Sequence, residues 1–147
     1  MAYLFDTNAI SEVFRRRPNA EYVQWLLEVP REEQYTSAVV VGELYVAAFQ
    51  QAGPASRSPV RDKWLRRIEE RVVPAMTVLP FDLAVALEYG RLRAHLLSRG
   101  REVGSIDMQI AATALLYDLT VVTANGRHFR QAPKLRVKEF RPGQPPT

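Results

Sequence analysis

A chain of 147 residues has the size of one domain, long enough to hide roughly 68–70% of its unfolded surface in a core. An apolar fraction of 47% argues against disorder and against a fibre, and the absence of cysteine excludes disulfides, a thiolate nucleophile and cysteine-ligated metal. The 20 basic residues outnumber 16 acidic ones, for a net charge of +4.

Seventeen of the basic residues are arginine; only Lys63, Lys134 and Lys138 are lysine. Arginine's planar fork suits phosphate, and a GC-rich coding sequence would give the same bias, so the charge permits a nucleic-acid partner without demonstrating one. No apolar run reaches the about 20 residues that a membrane span needs. With Asp6 inside MAYLFDTNAISE, the opening is not a signal peptide. A soluble cytoplasmic protein is the default.

AYLF reads as a short buried strand ending at Asp6, and TNAISEVFRRR as a helix stopped by Pro18. NAEYVQWLLEV places Tyr22, Val23, Trp25, Leu26 and Val29 at helical spacing, with Asn19 as N-cap and Pro30 as stop. QYTS is a brief strand, and a helix follows from about Val39, capped by Ser37. AGPASRSP, Ala52 to Pro59, reads as a mobile loop. VRDKWLRRIEERV puts Val60, Trp64, Ile68 and Val72 on one helical stripe. AMTVLP is a strand; DLAVALEYGRLRAHLLSRG is a helix with Asp82 as N-cap and Gly100 past its end. SIDMQIAATALLYD is a strongly apolar helix with Ser105 as its cap, and LTVVTA and LRVKEF are the last strands. Residues 141–147 read as a disordered tail after a single domain over 1–140. Strands alternating with helices predict a three-layer α/β/α sandwich with a mostly parallel central sheet.

In open sheets of this kind ligands bind beyond the carboxyl ends of the strands. Asp6 ends the first strand, Glu43 lies about two turns into the helix after the second, and Asp107 opens the apolar helix. Singly, Asp6 and Asp107 read as helix caps and Glu43 as an arginine partner. Together they converge, and two like charges about 4 Å apart repel by roughly 4 kcal/mol at an effective dielectric of 20. A hard divalent cation such as Mg²⁺ or Mn²⁺ offsets that repulsion with oxygen ligands of this type. VVTANGRHF, Val121 to Phe129, contains an Asn-Gly hairpin signal. A parallel strand excludes a tight hairpin and instead delivers Thr123 and Asn125 to the site.

With LFDTNAISE, a glutamate in VVVGELYVAA, SIDMQIAATAL and VVTANGRHF in this order and spacing, the sequence resembles PIN-domain nucleases, and more closely the VapC-type toxins of bacterial toxin–antitoxin pairs. The resemblance runs to about Phe140. It implies an Mg²⁺-dependent endoribonuclease, with Mn²⁺ as the alternative ion, neutralised by a cognate antitoxin that offers an arginine to the carboxylates. It also implies a homodimer that meets operator DNA only through the antitoxin. By motif position Asp6, Glu43 and Asp107 are the catalytic acids, Asp6 and Asp107 the metal ligands, and Thr123 and Asn125 the supporting pocket. Arg15, Arg127, Arg130 and His128 are candidate substrate contacts. His128 stands where family members often carry another acid, which leaves a second metal open and places the imidazole toward phosphate or solvent ahead of metal ligation. Other readings are a catalytically impaired PIN-like binding or regulatory protein, an α/β phosphatase and a phospho-acceptor signalling domain. The phosphatase wants an aspartate at position 8, where Asn8 stands. The signalling domain wants a lysine after a late strand, where Thr123 leads into Ala-Asn-Gly.

Overall fold

The computed structural model describes residues 1–51, 58–101 and 104–146. Five short strands form its sheet: β1 (Tyr3–Phe5), β3 (Gln34–Ser37), β4 (Thr77–Leu79), β5 (Thr120–Thr123) and β6 (Val137–Glu139). Their order is β4-β3-β1-β5-β6, and every pairing is parallel. Central β1 lies between β3, with Tyr3 opposite Gln34, and β5, with Phe5 opposite Val122. All four residues of β5 are buried, as a strand covered on both faces requires.

Helices α1 (Thr7–Glu12), α2 (Ala20–Glu28), α3 (Ala38–Phe49), α4 (Pro59–Arg66), α5 (Leu83–Ser98), α6 (Ser105–Leu116) and the single turn α7 (Gly126–Phe129) flank this sheet. Strand residues Leu4, Phe5, Val121 and Val122 meet Ile10, Leu44, Leu96, Met108 and Ile110 from the helices in one core. The N-caps at Asp6, Asn19, Ser37 and Asp82 each accept an N–H three residues on, as their sequence positions predict. Gly100, past the end of α5, has φ of +70°, the left-handed conformation that glycine adopts freely.

Four expectations change. The helix starting at Thr7 ends at Glu12, and Arg15–Arg17 form strand β2. The tail read as disordered contains strand β7 (Gln144–Pro146), antiparallel to β2 with Arg17 opposite Gln144. One carboxylate explains both. Glu12 is fully buried, accepts the backbone N–H groups of Asn19 (2.7 Å) and Gly143 (2.9 Å), and pairs with Arg15 Nε at 2.9 Å. Thirdly, Gly104 and not Ser105 caps α6, with no side-chain bond; the Ser105 hydroxyl instead lies 2.9 Å from that of Tyr89. Fourthly, α4 passes into a π turn over Arg67–Val72, so the predicted stripe buries Ile68 and Val72 but leaves Val60 half exposed. Ser58 caps α4, while residues 52–57 of the proposed loop lie outside the described residues.

A Cβ on Gly143 would collide with the Arg17 carbonyl oxygen, a backbone atom with nowhere to go. Gly143→Ala is therefore expected to open the β2–β7 ribbon at a cost of about 1–3 kcal/mol. Faster hydrogen exchange at the Arg15–Arg17 amides reads this out; exchange unchanged from wild type contradicts it.

Candidate active site at the carboxyl end of the sheet

Because the sheet is parallel, its carboxyl edge gathers whatever follows each strand. Asp6 follows β1, and its backbone N–H is bound to the Val122 carbonyl of β5. The side chain is 4% exposed and accepts from Ala9 N at 2.8 Å, so capping and site placement come from one conformation. Burial, above all, pushes the Asp6 carboxyl up to about 6, and the charges of Asp107 and Glu43 push the same way. Hydrogen bonds from the Thr123 hydroxyl and from Ala9 N pull it down. Asp107 and Glu43 thus each stand within electrostatic reach of Asp6.

Thr123, at the end of β5, is fully buried. Its hydroxyl donates to Asp6 and accepts the Asn125 backbone N–H at 2.9 Å, tying the strand end to the carboxylate. Glu43 Oε1 accepts from the Thr7 hydroxyl at 2.5 Å. Thr7 is a site residue the sequence reading passed over, although it adjoins Asp6. His128 turns inward: its Nδ1 lies 3.0 Å from Asp107 Oδ2 and 2.9 Å from Asn125 Nδ2. One ring nitrogen either donates to the carboxylate or accepts from the amide, so the tautomer decides which neighbour it holds. The ring touches Asp107 and is still 46% exposed, which leaves it open toward solvent or phosphate as the sequence suggests. The Asn-Gly pair makes no hairpin; Gly126 opens α7, and a Cβ there would meet the Glu139 and Arg130 side chains.

The arginine candidates separate. Arg15 is committed to Glu12, and Arg130 to Glu139 at 2.6 Å. Arg127 is exposed on α7.

Carboxylate, amide and hydroxyl oxygens are the donors a hard divalent ion takes. A carboxylate made costly to ionise chiefly by burial, and further by two neighbouring acids, suits a cation in kind. Among the described residues no three acid or imidazole side chains form a ready-made metal cage. The donor set fits the ion, and the side chains would have to close on it.

The raised Asp6 value has a definite sign. The folded state holds this proton more tightly than the unfolded chain, so the stabilisation from Asp6 is full below about 3.8 and is lost as pH rises through about 6. Relative to Asp6→Asn, which does not titrate, the metal-free protein is expected to lose on the order of 3 kcal/mol between pH 4 and pH 7. Urea unfolding of both proteins in EDTA tests this; a constant difference between them across that range contradicts it.

Fold and site together define an α/β domain with acids gathered at the carboxyl ends of parallel strands. The model of the PIN domain family matches residues 3–135, and the chain belongs to that family. It is 35% identical over 128 residues to Toxin FitB of Neisseria gonorrhoeae, covering 86% of this chain and 89% of the relative. It is 34% identical over 131 residues to VapC ribonuclease Y4jK of Sinorhizobium fredii, covering 88% and 91%. The crystal structure of DNA-bound VapBC from Salmonella typhimurium superposes with a TM-score of 0.79 at 26% identity, over 95% of this chain and 98% of that one.

Proposed function

We propose that this protein is a metal-dependent endoribonuclease, the toxin of a toxin–antitoxin pair, with Mg²⁺ as its ion and Mn²⁺ as a substitute. The observation that carries this reading is the buried Asp6 carboxylate, destabilised as an anion and faced by Asp107 and Glu43. Family membership and the ribonuclease name of one relative support the substrate class.

A divalent ion at such a site acidifies a water and offsets the charge that develops on the phosphate oxygens. Asp6 and Asp107 would hold the ion. Thr123 and Ala9 N fix the Asp6 carboxylate, and His128, donating through Nδ1, fixes Asp107. Glu43, steadied by Thr7, orients the attacking water and takes its proton. Arg127 contacts the substrate backbone, and Arg15, held through Nε by Glu12, keeps the fold around α1. A cognate antitoxin would cover the acids with a cationic side chain and carry the pair to operator DNA, and the chain would act as a homodimer in the cytoplasm. No helix among the described residues is long and apolar enough to cross a membrane.

Cleavage of RNA in Mg²⁺, abolished by EDTA and restored by added Mg²⁺, is the expected result. Cleavage that persists in EDTA contradicts the metal role. His128, which meets Asp107 where relatives often carry an acid, favours one second reading, an impaired PIN-like protein. Retained RNA binding with no cleavage in any divalent ion would select it.

A further inference from the structure

The family match stops at residue 135, yet the chain goes on to build β6, an aromatic segment and the tail strand. These later residues and the β2 edge form a surface beside the carboxylates. Trp25, half-buried on α2, carries the Lys138 ammonium 4.4 Å from its ring centroid. Phe140 stacks on Tyr22 with ring centroids 4.2 Å apart. The same residues line an open groove with Arg141 on its rim, and the Asn19 side chain donates to the Arg141 carbonyl at 2.8 Å, joining that rim to the start of α2. Arg16 and Arg17 are exposed on β2, held there by the pairing with β7 and by the bonds to buried Glu12.

Groove and acid site share walls. The Phe140 N–H donates to the carbonyl of Thr123, whose hydroxyl holds Asp6. The Tyr22 hydroxyl donates at 2.7 Å to the carbonyl of Ala9, in the helical turn that Asp6 caps. Charge favours an anionic occupant. Glu139 is engaged by Arg130, which leaves exposed Glu21 against Arg16, Arg17, Lys138 and Arg141.

We propose that the β2–β7 ribbon and this groove bind the single-stranded RNA that flanks the scissile phosphate, Arg16, Arg17 and Arg141 taking phosphates and Trp25 and Phe140 taking bases. The assignment rests on the ribonuclease reading. Cationic grooves floored by aromatic rings bind single strands, because an unpaired base offers its face for stacking. Arginine forks track the backbone. In this arrangement the tail strand has a purpose: it fixes a pair of arginines that would otherwise hang on a loose segment after α1.

The test uses the full chain in EDTA and a fluorescein-labelled oligouridylate of about 12 nucleotides, within the span of single-strand sites. Anisotropy gives Kd for wild type and for Arg16→Glu/Arg17→Glu/Arg141→Glu, whose sites are all on the surface. A charge-matched control carries Arg91→Glu, Arg99→Glu and Arg101→Glu on exposed positions of α5 and just past its end. Thermal unfolding confirms that each variant folds, and Lys138→Ala serves as a milder variant. The triple variant is expected to bind at least tenfold more weakly, with a salt slope shallower by about 2, as loss of three single-strand phosphate contacts requires. In Mg²⁺ its KM rises by a similar factor while kcat stays within about twofold. Lys138→Ala shows a smaller loss in the same direction. Binding equal to wild type, or an equal loss in the α5 control, overturns the assignment while cleavage by wild type still supports the ribonuclease reading. Wild type that neither binds nor cleaves RNA removes the reading and the assignment together.

Discussion

Replacing Asp6 by asparagine is expected to lower RNA cleavage at least about a hundredfold while the protein stays folded. Asparagine caps a helix as well as aspartate does, so the bond from Ala9 N survives, and the amide oxygen still accepts from Thr123. The substitution removes the negative charge from a side chain only 4% exposed. Above pH 6 that charge costs stability in the metal-free protein, so the variant should melt no lower than wild type in EDTA. Asp107→Asn should lose cleavage to the same order, since it takes away the other proposed metal ligand. Initial rates on RNA beside melting curves separate the chemistry from the fold. Near-wild-type rates in either variant would remove that residue from the metal site.

The largest loss of stability is expected far from the chemistry, at Glu12. Glu12→Ala strands two backbone N–H groups, of Asn19 and Gly143, and leaves Arg15 unpaired beside a cavity. Breaking a buried ion pair from one side costs about 3–5 kcal/mol, a large share of the roughly 5–15 kcal/mol that holds a domain of this kind together. Glu12→Gln keeps one acceptor oxygen and should cost less than alanine. Urea denaturation ranks the three proteins; a loss below about 1 kcal/mol in Glu12→Ala would show that Glu12 does not anchor the tail.

That anchor also marks where sequence reasoning stops. The parallel sheet and the positions of Asp6, Glu43 and Asp107 follow from local signals: short β-branched runs, capping residues, and acids placed where strands end. Residues 13–17 and the tail do not, because Glu12 joins Gly143 across 131 positions and neither partner signals the other locally. TNAISEVFRRR is a fair helix by propensity; a tertiary bond to its glutamate ends it early. Ser105 failed as a cap for a related reason, since its hydroxyl already meets Tyr89. At the site, Thr123 and Asn125 were legible as polar residues at a strand end. The inward turn of His128 was not, because it depends on a single helical turn, α7, setting the ring against Asp107. The hold of Thr7 on Glu43 likewise needs α1 and α3 side by side, although the residue adjoins Asp6 in the chain.

The central claim is that the carboxylates at this sheet edge share a divalent cation. Titrating Mn²⁺ into the apo protein, with electron paramagnetic resonance reading the free ion, tests it most directly. The expected result is binding by wild type that weakens as pH falls below about 6, where Asp6 takes up its proton, and that is lost in Asp6→Asn and Asp107→Asn. Wild type that leaves all the ion free, or variants that bind it as tightly as wild type, would contradict the account.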